Sequence, residues 1–340
     1  MRILVTGGSG FIGSHVVDQL LDAGVTVRVV DLVTPAEPGV EFVEGDLGDP
    51  RVAAAAVADV DAVCHQAARV GLGVDFGDVR SYVSANDSAT AVLLDALWRR
   101  SFCGRLVLAS SMVIYGEGRS RCPGHGLVVP AARQVADLEG GCFEPRCPAA
   151  GCSNVVGWAP VDEDTPTDPR NIYAATKLHQ EHLCALYGRE SGAPVVALRY
   201  HNVYGPRMPL DTPYAGVASI FRSALAAGRA PEVFEDGQQT RDFVHVRDVA
   251  RANVIALTGE TATGGAYNIA SGHPHTVGQL ACALAGASRG PEPVVTGRWR
   301  LGDVRHIVAS PALAASELGF RAEIDFAAGM AEFAALPIGA

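Results

Sequence analysis

The chain has 340 residues and carries 37 acidic against 27 basic side chains, a formal net charge of −10. That balance disfavours a general nucleic-acid surface, which needs a basic patch, yet a few arginines could still line a pocket for a small anion. Apolar residues make up 48% and mean hydropathy is +0.17, so a sizeable core is available, but no apolar run reaches the roughly 18 residues of a membrane span.

In chain order, "RILVTG" reads as a buried strand and "GFIGSHVVDQLLDAG" as an amphipathic helix. No basic segment with a long apolar stretch precedes that strand, so a cytoplasmic location is expected. Strands follow at "TVRVVDL", "VEFVEGDL" and "VDAVCHQAA", then the helix "NDSATAVLLDALWR" and the strand "RLVLASS". The alternation predicts an α/β fold: a Rossmann-type doubly wound parallel sheet with a smaller α/β substrate-binding lobe. Residues 117–160 break the rhythm. They are rich in Gly, Pro, Cys and Arg without a clear period and read as an inserted excursion. Order returns with "DPRNIYAATKLHQEHLCALYGRESG", a long helix closed by Gly192, and the strand "PVVALRY". The expected organisation is a Rossmann domain over 1–200 carrying the 117–160 excursion. A lobe over 201–340 would then bind substrate, with about 240–260 returning to the main domain.

Gly7, Gly10 and Gly13 form G-x-x-G-x-x-G between the first strand and the first helix. Such glycines allow a tight turn, close backbone approach to a pyrophosphate and close helix packing. Asp31 ends the next strand, where a carboxylate can bond an adenosine ribose and repels a 2′-phosphate, which favours NAD. Arg28, three residues earlier in the same strand, is the one feature that could argue otherwise.

Tyr173 and Lys177 form Y-x-x-x-K, and Lys177 is the only lysine in the chain; the other 26 basic residues are arginine. At i and i+4 both project from one helical face. A tyrosine with a pKa near 10 needs help to act as a base near neutrality, and a neighbouring ammonium favours the phenolate. Arginine's broad planar fork is a poor replacement for that compact charge.

T-G-G-x-G-F-I-G at the N-terminus resembles the extended short-chain dehydrogenase/reductase family, in its branch of NAD-dependent nucleotide-sugar epimerases and dehydratases. "GDL" at 45–47, "HQAA" at 65–68, and Asn86 and Thr90 as N-x-x-x-T continue the likeness, which spans the chain except 117–160. The resemblance implies that Gly7, Gly10, Phe11, Ile12, Gly13, Asp31, Asp46, Leu47, Ala67, Ala68, Asn86 and Lys177 bind NAD. It selects Ser111 over Ser110 as the third catalytic residue beside Tyr173 and Lys177, because the family places that residue four before the Tyr of "YG". Dehydratases of the family carry Asp-Glu where this chain has Met112 and Val113, so 4-epimerisation is the implied reaction. Ser111, Met112, Asn202, Arg241, Arg300 and Asp303 are implied to bind the substrate, with Arg241 and Arg300 on the diphosphate and Asp303 on the nucleoside ribose. "PYAGVASIF" (213–221) would cover the base, and Ile307 would bear on the size of the sugar pocket. The implied substrate is a UDP-hexose or UDP-hexuronate, with a dTDP-L-rhamnose type as the alternative, and a homodimer would form through helices near 88–99 and 174–190.

Eight cysteines remain. Cys64, Cys103, Cys184 and Cys282 lie in apolar stretches and are expected to be small core residues. Cys122, Cys142, Cys147 and Cys152, with His125 nearby, crowd the excursion. Four thiolates there could hold zinc, but paired C-x-x-C spacing is missing, and the simplest reading is a substrate-side flap with leftover cysteines and no metal.

Overall fold

A computed structural model describes residues 1–71, 76–209, 216–259 and 264–336. Seven parallel strands form the main sheet in the order Gly265–Ile269, Val195–Tyr200, Arg105–Ser111, Ala62–His65, Arg2–Thr6, Thr26–Asp31, Glu41–Glu44. The order doubles back at Arg2–Thr6, and that reversal opens a crevice at the strands' carboxyl ends where ligands bind in such sheets. The α/β, doubly wound expectation therefore holds. Sequence reading did not single out the edge strand Gly265–Ile269, whose "GAYNI" is short and begins at the second of two consecutive glycines.

Each face of the sheet buries one core. On one side Ile3, Val5, Val16, Val17 and Val107 pack with Val249, Ala250, Ala252 and Ala256 of the helix Val246–Thr258. On the other, Leu4, Val63, Leu106 and Leu108 meet Leu93 and Leu97 of the helix Ala89–Arg99 and Cys184 of the long helix Ile172–Ser191. The side-chain alternation of period two sends neighbouring strand residues to opposite cores. A third core, with Tyr204, Phe221, Phe243, Leu280, Leu284 and Phe333, lies among the elements after residue 200.

The long helix starts where the Asn171 side chain accepts from the Ala174 N–H at 2.8 Å and ends at Gly192, whose φ of +76° is the left-handed cap glycine favours. It is tied to the sheet by a buried polar cluster. Arg199 donates to both oxygens of Glu181 at 3.0 and 2.9 Å and to the Tyr115 hydroxyl at 2.8 Å, while the Ser110 hydroxyl also bonds Glu181.

Residues 119–159 contain a three-stranded antiparallel sheet of Gly126–Val128, Arg119–Cys122 and Gly157–Ala159. Two of the cysteine expectations need correction. Cys64 and Cys184 are buried, but Cys103 and Cys282 are exposed. Cys103 follows the left-handed turn at Ser101, and Cys282 faces outward on Val277–Ser288, between the buried Ala281 and Leu284. No helix among the described residues is long and apolar enough to cross a membrane.

Replacing Arg199 with Met should leave Glu181 as an uncompensated buried charge and cost about 3–5 kcal/mol in urea unfolding. The double replacement Arg199→Met/Glu181→Leu should recover most of that loss. A single variant as stable as the parent would show that the pair does not anchor the helix.

Candidate active site

The glycine turn is built by exclusion. A Cβ on Gly13 would lie 2.1 Å from the Gly7 carbonyl oxygen, and one on Gly7, which also has φ +66°, would lie 2.8 Å from the Ala67 backbone. Only glycine at both positions lets the turn close against the Gln66–Ala67 segment and aim the helix Phe11–Asp22 at the crevice. Phe11 and Ile12 open that helix directly after Gly10. Asp31 lies beside the turn, its Oδ2 accepting from the Ser9 N–H at 3.0 Å and its Oδ1 from the Leu32 N–H at 2.7 Å. The carboxylate is thereby fixed where an anionic 2′-phosphate would be repelled. Arg28 does not oppose this. Its guanidinium is committed to Glu41 at 2.7 Å and to the Ala56 carbonyl at 3.1 Å.

Asp46 is exposed and Leu47 buried at the end of the third strand, while Ala67 and Ala68 follow the fourth and are half-buried. Asn86 is fully buried. Both of its amide donors are engaged, with the Arg69 carbonyl at 3.0 Å and Thr176 Oγ1 at 2.9 Å, and its Oδ1 accepts from the Arg69 N–H at 2.7 Å. It therefore fixes the chain after the fourth strand to the long helix, with no amide donor left for a cofactor.

A hydrogen-bond chain that sequence reading missed lies beneath. His65 Nδ1 is 2.7 Å from Thr6 Oγ1 and its Nε2 is 2.9 Å from Thr90 Oγ1. Thr90 gives its proton to the Asn86 carbonyl at 2.6 Å, so it must accept from His65. Nε2 therefore carries the proton, and Thr6 donates to Nδ1 while accepting from the Ala67 N–H at 3.1 Å. Gln180 on the long helix also donates to Thr90 at 2.7 Å. Burial, with the Lys177 charge, pushes the His65 pKa down to about 3, so the ring stays neutral and the chain intact. The only sequence signal was a histidine at the end of the apolar run "AVC".

Tyr173 and Lys177 project from the long helix against Ser111, the last residue of Arg105–Ser111. The Ser111 hydroxyl lies on the side of the Tyr173 phenol and lowers its pKa, and Lys177 Nζ lies 6.0 Å from the phenol ring centroid, donating to the Ala109 carbonyl at 2.8 Å. Ser110 points the other way, to Glu181. Burial pushes Tyr173 up to about 12, partly offset by the Ser111 hydroxyl, and pushes Lys177 down to about 8. Met112 and Val113 begin the tight turn Met112–Tyr115, with Met112 packed against Ile114, Tyr115, Val161 and Ile307.

Arg241 is half-buried, and burial lowers its pKa to about 10. Its guanidinium hydrogen-bonds only carbonyls among the described residues, those of Thr240 and Arg305 at 2.9 Å and Val304 at 2.6 Å. Asn202 opens the strand Asn202–Tyr204 with its Oδ1 buried and unpartnered among the described residues. Arg300 is exposed over the Phe234 ring at 4.9 Å, and burial raises the pKa of Asp303. Of the segment 213–221, residues 213–215 lie outside the described residues, and 217–221 lie on the helix Val217–Ala226.

The model of the NAD dependent epimerase/dehydratase family matches residues 3–133 and 141–270. The chain belongs to that family. It is 30% identical to a dTDP-L-rhamnose 4-epimerase of Burkholderia thailandensis over 97% of this chain and 93% of that protein. It is 31% identical to a putative UDP-glucose 4-epimerase of Methanocaldococcus jannaschii, covering 96% and 95%. Among solved structures, the Thermus thermophilus UDP-glucose 4-epimerase in complex with NAD superposes with a TM-score of 0.79 at 31% identity, covering 98% of both chains. The fold is thus that of the extended short-chain dehydrogenase/reductases, the chain is an enzyme of the nucleotide-sugar epimerase type, and its cofactor is NAD. The glycine cradle and the fixed Asp31 carboxylate fit that cofactor.

Gly13→Ala should abolish NAD binding, because its methyl has no position beside the Gly7 carbonyl that leaves the turn closed. Fluorescence titration with NADH checks this on protein whose circular dichroism matches the parent. Parent-like affinity would show that the turn does not seat the cofactor.

Proposed function

We propose that the protein inverts C4 of a nucleoside-diphosphate hexose through a transient 4-keto sugar, acting on UDP-glucose/galactose or UDP-glucuronate/galacturonate. The observation that supports this reading best is a single proton-transfer pair. Ser111 ends its strand beside the helix that carries Tyr173 and lowers the phenol's pKa, while Met112 and Val113, the next two side chains, cannot exchange protons. Eliminating water from the sugar would need a second acid and base, whereas C4 inversion needs one base used twice.

Tyr173 takes the O4 proton and later returns it, and Ser111 bridges O4 and the phenol. When bound, NAD⁺ supplies the hydride acceptor for C4 and a positive ring charge. Lys177 keeps its ammonium at neutral pH because its pKa of about 8 still lies above it. A full charge at about 6 Å, in an effective dielectric near 20, is worth about 3 kcal/mol, or about two pKa units. Lys177 therefore favours the phenolate against the burial that pushes Tyr173 up to about 12, and further positive charge beside the phenol would favour it more. Its Nζ bond to Ala109 in a buried slot suits an ammonium, and a guanidinium would need space and partners that the slot lacks.

Asn202, Arg241, Arg300 and Asp303 would hold the nucleotide. Arg241 is the strongest member, a part-buried guanidinium hydrogen-bonded to carbonyls and suited to a diphosphate. The Asn202 Oδ1 would accept from a sugar hydroxyl. A second reading, inversion of a dTDP-linked 6-deoxyhexose, is favoured by the likeness to the dTDP-L-rhamnose 4-epimerase along nearly the whole chain. A homodimer through the helices Ala89–Arg99 and Ile172–Ser191 fits the exposure of Trp98 and Leu186 on them.

Incubation with a panel of UDP- and dTDP-sugars, with products resolved by C4 configuration, should give C4 epimers of one substrate pair. Free NADH or a 4-keto-6-deoxy product would contradict the reading. Tyr173→Phe should keep NAD bound yet lower kcat by about 10²–10⁴-fold, and Lys177→Arg should fail similarly. The Ser111 hydroxyl holds the Tyr173 pKa down, so Ser111→Ala should raise it. The alkaline-rising limb of kcat should then move to higher pH; an unmoved limb would remove Tyr173 as the base.

A further inference from the structure

The excursion at 117–160 folds around two tight turns, "CPGH" at 122–125 and "CPAAGC" at 147–152. In the first, Cys122 and Gly126 face each other across an antiparallel pair, so Pro123, Gly124 and His125 make the turn. In the second, the Cys152 N–H donates to the Ala149 carbonyl at 3.0 Å and the Cys147 N–H to the Asn154 carbonyl at 2.9 Å. The two turns bring Cys122, His125, Cys147 and Cys152 together, with one potential ligand atom from each lying within 4.8 Å of all the others. Cys142 is not among them. It is exposed, with its sulfur 4.0 Å from the Gly140 carbonyl.

Three of the six spacings are close to the edges of a tetrahedral site. His125 Nδ1 is 3.5 Å from both Cys122 Sγ and Cys147 Sγ, and Cys122 Sγ is 3.9 Å from Cys152 Sγ. Bonds of about 2.3 Å from zinc to sulfur and about 2.05 Å to nitrogen give tetrahedral edges of about 3.8 and 3.6 Å. A disulfide would need a separation of about 2.05 Å. Around the cluster the apolar packing is slight: Val156, Val128 and Ala149 are its only apolar members besides the cysteines. A core that small does not hold a segment of this length unaided.

We propose that Cys122, Cys147 and Cys152, with His125 through Nδ1, bind one structural zinc ion per chain. Three thiolates and an imidazole, with no open position, match a closed zinc site. The ion does in this segment what an apolar core does elsewhere, and it fixes a strap across the substrate lobe. Glu144, three residues before Cys147, accepts from Arg305 at 2.6 and 2.9 Å and pairs with His306 at 2.8 Å. Arg133 bonds Glu235 at 2.7 Å and the Asp303 carbonyl at 2.6 Å. The zinc site therefore holds in place the 303–306 backbone, whose carbonyls also receive Arg241. This inference does not depend on which sugar is bound.

Metal analysis of the full-length protein, purified without added chelator and dialysed, should find close to one zinc ion per chain. Cys142→Ser should keep it, and Cys122→Ser/Cys147→Ser should lose it and melt at a lower temperature. Because the double variant could fail to fold, the parent protein produced with cobalt(II) supplies an independent readout. It should show thiolate-to-cobalt charge-transfer bands and the intense visible bands of a tetrahedral ion. Zinc far below one per chain together with no tetrahedral cobalt spectrum would overturn the proposal. So would a Cys122–Cys152 disulfide, seen as a mass deficit of two protons in the non-reduced chain.

Discussion

Thr6, His65, Thr90 and Gln180 form one buried hydrogen-bond chain to which the other parts of the site are aligned. Thr6 ends the first strand, just before the glycine turn, and also holds the Ala67 N–H at the point where Gly7 makes its closest approach. Gln180 lies on the helix that presents Tyr173 and Lys177, three residues beyond the lysine. The cofactor turn and the catalytic helix are thus fixed to the same imidazole. That ring can bridge them only while neutral, and burial keeps it so far below physiological pH.

Burial also sets the resting state of the catalytic groups. It raises Tyr173 and lowers Lys177, so the isolated pocket opposes the charged form of both. Ser111 alone offsets part of that effect on the phenol. On the proposed mechanism, base strength would therefore depend on positive charge brought in by the cofactor. Burial lowers the pKa of Arg241 as well, to about 10, which still leaves its guanidinium charged at neutral pH.

The two motifs of the candidate site were legible in the sequence because each rests on local spacing. G-x-x-G-x-x-G and Y-x-x-x-K each place their groups within one turn or one helical face, and the fold only has to bring the two together. The long helix was also legible, from its apolar pattern and the glycine that closes it. What sequence could not supply were contacts between distant segments. His65 meets Thr6, Thr90 and Gln180 across separations of up to 115 residues, and Glu144 meets Arg305 across 161. The cysteine cluster failed for a related reason. Counting thiolates favoured Cys142, whereas folding exchanged it for His125, which the turn at Gly126 brings to the sulfurs. Asn86 is a motif position whose side chain joins the chain after the fourth strand to the long helix, a role that spacing alone does not reveal.

The central claim is that one base and one returned hydride invert C4 without net oxidation. The fate of a C4-deuterium label tests it most directly, with substrate labelled there and turned over in ordinary water. The account predicts that the epimerised product retains the deuterium at C4, because the hydride removed from that carbon goes back to it. Loss of the label to solvent, or its appearance at another carbon, would contradict it.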